Sequence, residues 1–373
     1  MKVSVLCSDL SNNQLGRAYV IAKGLERGPF DVEVIGGLAQ GTDVYEPFSD
    51  EFDYKKVKIP ANPISITSIP KILDKTTGDV VYAIKPRTFS FGVGILNKAI
   101  NNVPIILDID DWERGLHIES KHNTDHYLIK SILDPNGYYS TKLLSPFITR
   151  ADKITTVSQF LQQKYQADYI IPHARDTSWL NPKNTDQKKM KKKYGVINQR
   201  VAMFLGQPRT HKGVEIILQS VQRSKIPNIE VMMVNAENNK IKKLNREYEN
   251  LTLIDPFSFS NLPQFLSMAD VVIIPQEESP ASVGQVPAKL IDAMAMKKPI
   301  ISTNIGDIPE ILNECGIVVE PENVSQVVGA IETILEDDEL RNSMREAARK
   351  KCVNEYSMKN ASDKLTEVIS EVI

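Results

Sequence analysis

Short runs of aliphatic and β-branched residues alternate with stretches of helical period along almost the whole chain, and few folds accommodate that alternation. Strands separated by helix-length connections do not pair as tight hairpins. They pair in parallel, with the intervening helices as crossovers that cover the sheet. In the first half the runs are 2–7 (KVSVLC), 31–35 (DVEVI), 79–84 (DVVYAI), 103–109 (VPIILDI), 153–157 (KITTV) and 169–171 (YII). In the second half they are 200–205 (RVAMFL), 229–234 (IEVMMV), 251–254 (LTLI), 270–274 (DVVII), 299–302 (PIIS) and 316–319 (GIVV). Their apolar density is that of strands buried on both faces. The expected fold class is α/β, with two doubly wound domains whose ligands bind beyond the carboxyl ends of the strands.

At 373 residues, two domains of ordinary size are the natural count. The boundary is expected near Ile171-Pro172-His173, where proline interrupts secondary structure and a polar segment, 174–187, follows. The first domain is then 1–171 and the second 172–356, with a C-terminal helix, 357–373, packing back on the first. Lys and Arg number 45 against 47 Asp and Glu, a net charge of −2, which argues against a nucleic-acid binder but leaves room for a local anion pocket. No run approaches the roughly 20 apolar residues that span a bilayer, and MKVSVLCSDL meets polar residues too early for a signal peptide. Cys7, Cys315 and Cys352 are far apart and odd in number, so neither a disulfide framework nor a zinc motif is indicated. A cytoplasmic protein is expected. The lysine cluster 188–193 reads as a solvated helix face and is also compatible with peripheral contact at the inner membrane face.

Two windows carry the chemistry. In 200–223 (RVAMFLGQPRTHKGVEIILQSVQR) a strand ends at Gly206, a turn carries Arg209, His211 and Lys212, and Gly213 opens an amphipathic helix. Glycine lets a ligand approach the backbone, a helix start offers free N–H groups and two cations neutralise charge, which together suit a diphosphate. Taken alone, the window is equally an ordinary strand-turn-helix. In 270–311 a strand ends at Pro275, and a polar loop leads through Gly284 and Pro287 to a helix, 288–296, carrying Lys289 and Asp292 on one face. A further strand then runs into Thr303-Asn304-Ile305-Gly306-Asp307.

The pair Gly206-x-x-Arg209-x-x-Lys212-Gly213 and Pro287-x-Lys289-Leu290-x-Asp292-x-Met294-Ala295-x-x-Lys298-Pro299 resembles the nucleotide-sugar site of retaining family 4 glycosyltransferases. Val157-Ser158, Ile171-Pro172-His173 with Asp176, and Gly306-Asp307-Ile308-Pro309-Glu310 are similar to further segments of that family, in the same order. The resemblance covers nearly the whole chain. It implies the GT-B fold, two Rossmann-like domains facing across a cleft, and closure about a hinge at 172–176. It also implies donor contacts from Gly16, Gly206, Arg209, Lys212, Lys289, Leu290 and Asp292, with Arg209 and Lys212 stabilising the leaving diphosphate in place of a metal ion. This chain departs from the family pattern twice. Gln207 stands where the family arginine follows the glycine, making Arg209 a displaced match. The first acid of the family's paired glutamates falls on Gly284, leaving Glu277 or Glu278 as substitutes, or else backbone groups and Lys289 to hold the sugar.

In the first domain, Gly16 lies in the segment Ser11–Arg17 that occupies the place of the family's glycine-containing loop. Asp108-Ile109-Asp110-Asp111-Trp112-Glu113 follows a buried strand, and Asp110 takes the place of a family histidine. Clustered carboxylates at a strand end repel one another unless a site or a cation uses them. Asp110 therefore carries an acceptor-side catalytic role or a structural one. Lys85 and Arg87 follow the 79–84 strand, in reach of an anionic acceptor. Asp108-x-Asp110 matches a bare metal-binding D-x-D but sits at a strand end in a domain that resembles GT-B, and no acidic or cysteine partner completes a site with His117, His122 and His126, so no metal is expected.

The expected function is transfer of a sugar from a nucleotide-diphosphate sugar to the hydroxyl of a glycan, lipid-linked or small-molecule acceptor, retaining and metal-independent, of the hexosyltransferase type. No nucleic-acid partner and no cofactor beyond the donor are expected; oligomeric state is open. An inactive glycosyltransferase-like binding protein is the alternative, and a nucleotide-sugar epimerase a further one.

Overall fold

Val3, Val5, Leu6 and Cys7 are fully shielded from solvent, and so are Ile105, Ile106, Leu107 and Ile109. A strand buried on both faces must be covered by helices on both, so these runs sit in the middle of a parallel sheet. The structure, a computed structural model, describes residues 1–61, 64–115, 137–205, 213–234 and 239–373.

Among the described residues, the first sheet has seven strands: β1 (Lys2–Cys7), β2 (Asp31–Leu38), β3 (Lys55–Lys58), β4 (Val80–Ile84), β5 (Ile105–Ile109), β6 (Lys153–Thr156) and β7 (Tyr169–Ile170). Their order is β3-β2-β1-β4-β5-β6-β7 and every pairing is parallel. The second has six: β8 (Arg200–Phe204), β9 (Ile229–Val234), β10 (Leu251–Ile254), β11 (Val271–Ile274), β12 (Ile300–Thr303) and β13 (Gly316–Val319). Their order is β10-β9-β8-β11-β12-β13, again all parallel. Each sheet reverses its strand order once, at β1/β4 and at β8/β11, and the carboxyl ends of those pairs are where such sheets bind ligands.

The strand β3 is the one the sequence reading lacks. Only Val57 of Lys55-Lys56-Val57-Lys58 is buried, and β3 is an edge strand, where lysines discourage pairing with other chains. The lysine cluster is a helix, Gln187–Lys193, capped by the Asp186 carboxylate on the Lys189 N–H. Its Lys191 is not solvated: it is 9% exposed, pairs with Asp270 at 2.6 Å and donates to the Gln199 carbonyl.

The chain forms two compact units. The first comprises Met1–Ala174, Ser279–Gln285 and Met358–Ile373; the second comprises Arg175–Glu278 and Val286–Ser357. The segment Ser279–Gln285, which the sequence reading kept in the second domain, thus belongs with the first unit, where the Ser158 hydroxyl donates to the Gly284 carbonyl at 3.1 Å. The last helix, Met358–Ser370, buries Met358, Ala361, Leu365, Val368 and Ile369 in the first unit. It approaches the first helix, Leu15–Glu26, closely at Gly24, where a β-carbon would lie 2.5 Å from the Leu365 side chain. Among the described residues no helix is long and apolar enough to cross a membrane.

Candidate functional site

The first unit gathers charge at the carboxyl ends of β4 and β5. Lys85, directly after β4, has a left-handed backbone (φ +65°), a conformation a lysine adopts only when its surroundings impose it. Its N–H donates to the Asp108 carbonyl at 2.8 Å and its own carbonyl accepts from the Ser90 hydroxyl at 2.9 Å. The side chain is buried, and its ammonium meets three carboxylates: Asp110 at 3.1 Å, Glu113 at 3.2 Å, and Asp111 in a short hydrogen bond. Arg87 pairs with Glu113 at 2.7 Å. Two cations therefore face three acids, and among the described residues Asp110 and Glu113 each keep one buried oxygen without a hydrogen bond. The Asp110 Oδ1 is within ion-pair distance of Lys85 but accepts no hydrogen bond among the described residues. Burial, only partly offset by Lys85 and reinforced by the neighbouring Asp111 and Asp108, pushes its carboxyl up from 3.8 to about 6. Burial acts the same way on Asp111 but is outweighed by Lys85 and by the Gln285 amide at 3.0 Å, so that carboxyl falls to about 2.

Asp108 plays a different part. It is fully buried and held by Arg17 in a two-pronged pair, both contacts 2.8 Å, and it also accepts from the Thr155 hydroxyl at 2.8 Å. Arg17 further donates to the Ile171 carbonyl at 2.7 Å and the Pro172 carbonyl at 3.3 Å. A fully satisfied buried pair of this kind ties the first helix to β5 and to the segment after β7. Gly16 lies inside that helix rather than in the loop before it. The loop itself is organised by Asp9, whose Oδ1 accepts from the Ser11 N–H and hydroxyl and from the Ala39 N–H.

The second unit has its own constellation at the ends of β8 and β11. Gly213 caps the helix Val214–Arg223 with φ +58°, and a β-carbon there would overlap the Pro275 carbonyl oxygen. Glycine is required on both counts. Lys289, in the helix Ala288–Ala295, reaches back to the end of β8: its ammonium donates to the Leu205 carbonyl at 2.6 Å and lies 4.5 Å from the centre of the Phe204 ring. Asp292, one turn on, is buried and accepts from Arg175 at 2.5 Å; Leu290 faces the core.

The structure thus brings Lys85, Arg87 and Asp110 together in the first unit, with both cations already engaged by carboxylates. Lys289 and Asp292 share a helix face in the second. Glu277 is half-buried and Glu278 exposed in the loop after β11. Gly284 packs in the first unit, where a side chain would press on Phe160 and Leu161 at 3.2–3.4 Å. Gly206, Arg209 and Lys212, like His117, His122 and His126, lie outside the described residues. Sequence reasoning missed Arg175, the partner of Asp292, because 117 residues separate the two. It also missed Gln285, whose amide braces Asp111.

Residues 186–351, from the helix before β8 into the helix Asp338–Glu355, match the family described as glycosyl transferases group 1. The chain carries a glycosyl transferases group 1 domain. That domain holds Gly213, Lys289 and Asp292. An alpha-D-kanosaminyltransferase of Streptomyces kanamyceticus is 21% identical over 192 residues, 49% of this chain and 48% of that protein. The chain therefore spans about half the length of that curated relative. Among solved structures, sucrose-phosphate synthase from Thermosynechococcus elongatus superposes with a TM-score of 0.76 at 13% identity, covering 100% of this chain and 98% of that one. Anabaena Alr3699/HepE in complex with UDP-glucose gives a TM-score of 0.75 at 17% identity, covering 100% of both chains. The fold is GT-B, and the group 1 domain is its second Rossmann-like sheet with its helices.

Proposed function

We propose that the protein is a glycosyltransferase that moves a hexosyl group from a nucleotide-diphosphate sugar to an acceptor hydroxyl, with retention and without a metal ion. The observation that carries this reading is Lys289 at the carboxyl end of β8, beside the glycine-opened helix Val214–Arg223, inside the group 1 domain. A cation and a helix start at the switch point of a parallel sheet are what a diphosphate needs. Lys212 and Arg209, in the stretch leading into Gly213, add positive charge along the sequence, and such charge stabilises a leaving diphosphate as its bond to the sugar lengthens. Gly206 adds a donor contact, Leu290 packs the helix that carries Lys289 against the core, and Arg175 orients the Asp292 carboxylate as an acceptor for a ribose diol. The complex of Anabaena Alr3699/HepE with UDP-glucose supports the donor class.

On the acceptor side the reading rests on Asp110. A carboxyl that titrates near 6 is mostly ionised at neutral pH, the state in which it accepts a hydrogen bond from an acceptor hydroxyl. Lys85 and Arg87 hold that carboxylate and its neighbours in place. A glycan or lipid-linked acceptor, and work in the cytoplasm at the inner membrane face, belong to the same proposal. The reading in which the chain binds a nucleotide sugar without transferring it is favoured by Gly284, which places no acid at that position and packs in the first unit.

The test is release of nucleoside diphosphate from a panel of nucleotide sugars, in EDTA and with mixed acceptors. One donor is expected to turn over, and Lys212→Ala to slow release at least 100-fold. Release unaffected by Lys212→Ala would show the diphosphate site to be wrong; binding without release under any condition would favour the non-catalytic reading.

A further inference from the structure

Gln276 follows Pro275 at the carboxyl end of β11. It is 3% exposed, and among the described residues neither the oxygen nor the nitrogen of its amide has a hydrogen-bond partner. Thr303, the last residue of neighbouring β12, is 1% exposed and its hydroxyl is equally unpartnered. The register sets Ile274 opposite Ser302, so the two groups sit at adjoining strand ends. Ser302, one residue earlier, is satisfied by the Ile274 carbonyl at 2.8 Å, which shows that polar groups here are paired where the fold provides for it. A buried polar group without a partner destabilises the chain, and an apolar residue of the same size would not. Such orphans are rare in folded proteins and call for an explanation.

Their place supplies one. The Pro275 carbonyl abuts Gly213, so Gln276 lies at the same switch point as the helix start and Lys289. An amide offers two donors and an acceptor, a hydroxyl offers one donor and accepts as well, and neither carries charge. That is the complement of a neutral polyhydroxylated group, whereas Lys289 and the helix start complement an anion. We propose that Gln276, together with Thr303, holds the hydroxyls of the transferred sugar and makes Gln276 a specificity-determining residue for the donor. The inference rests on the donor-site reading above. It also gives the second unit a way to recognise the sugar without a carboxylate at position 284: through a neutral amide. A site built to hydrogen-bond a hydroxyl rejects the sugar that lacks it far more sharply than an apolar pocket does.

The experiment compares the full chain with Gln276→Met and Thr303→Val by calorimetric titration, using nucleoside diphosphates (UDP, GDP, ADP, TDP) and the corresponding nucleotide sugars, with melting temperatures measured in parallel. Gln276→Met is expected to weaken nucleotide-sugar binding at least tenfold and leave nucleoside-diphosphate binding within twofold, with a melting temperature equal to or above that of the parent. Thr303→Val should show the same pattern in smaller measure: weaker nucleotide-sugar binding with nucleoside-diphosphate binding within twofold. If Gln276→Met leaves both affinities unchanged, or lowers both alike together with the melting temperature, Gln276 has no sugar role, while diphosphate binding by the parent keeps the donor site. If the parent binds none of these compounds, the donor reading fails and the inference falls with it.

Discussion

Lys85 is the residue on which the first unit's site turns. Its ammonium is the shared counter-ion of Asp110, Asp111 and Glu113, and removing one partner of a buried ion pair leaves uncompensated charge behind. Lys85→Met should therefore destabilise the protein by on the order of 3–5 kcal/mol in urea unfolding, far more than loss of an exposed lysine. Asp110 predicts the opposite sign. Its folded carboxyl titrates at about 6 against an ordinary 3.8, so between those values the folded state holds a proton the unfolded state has lost. Its contribution is most favourable below pH 3.8 and declines as pH rises to about 6. Asp110→Asn should then be more stable than the parent above pH 6.5, by on the order of 2–3 kcal/mol at most, with the advantage fading below pH 4. It should also lose transfer activity. A stabilised, inactive variant would mark Asp110 as a group kept for chemistry; a destabilised one would mark it as part of the scaffold.

At the scale of elements, the switch point of the second sheet depends on one backbone conformation. Gly213→Ala forces a left-handed residue into the Pro275 carbonyl and should cost at least about 2 kcal/mol by urea unfolding, with donor binding weakened as the helix start moves. An unchanged stability would mean that the helix start relaxes freely and is no fixed anion site. The central strands were legible because runs such as Val80–Ile84 and Val271–Ile274 are apolar at every position, a pattern that doubly covered parallel strands need. The edge strand Lys55–Lys58 was not, because one buried valine among lysines carries no period. The site was legible only in part. Asp108, Asp110 and Asp111 look alike in sequence, and their different roles come from Arg17 and Lys85, which lie 91 and 26 residues from their partners. Gln276 and Thr303 are ordinary polar residues in sequence. What marks them is that both amide atoms of Gln276 and the hydroxyl of Thr303 lack a partner at adjoining strand ends, a property of their surroundings in the fold.

Across the whole molecule, the final helix returns to the unit in which the chain began. Met358, Leu365, Val368 and Ile369 are buried there with Ala361, against Val20 and Ala174 among others. At roughly 1.5–3 kcal/mol for each large apolar side chain, their removal withdraws stabilisation on the order of 6–12 kcal/mol, comparable to the entire stability of a domain. Deleting 358–373 is therefore expected to abolish cooperative unfolding of the first unit. A truncated protein that melts like the parent would show that the helix is an accessory.

The central claim is that the group 1 domain binds a nucleotide-diphosphate sugar through protein cations and a helix start. The most direct measurement is the melting temperature of the full chain, and of Lys289→Met, across UDP, GDP, ADP, CMP and TDP and their sugar forms, with and without EDTA. A ligand that binds only the folded protein stabilises it by about 2.7 kcal/mol at 100 times its Kd. The account predicts that one base raises the melting temperature by several degrees, equally with EDTA, and that Lys289→Met loses most of that rise. No response to any nucleotide, or a rise that Lys289→Met keeps in full, would contradict it.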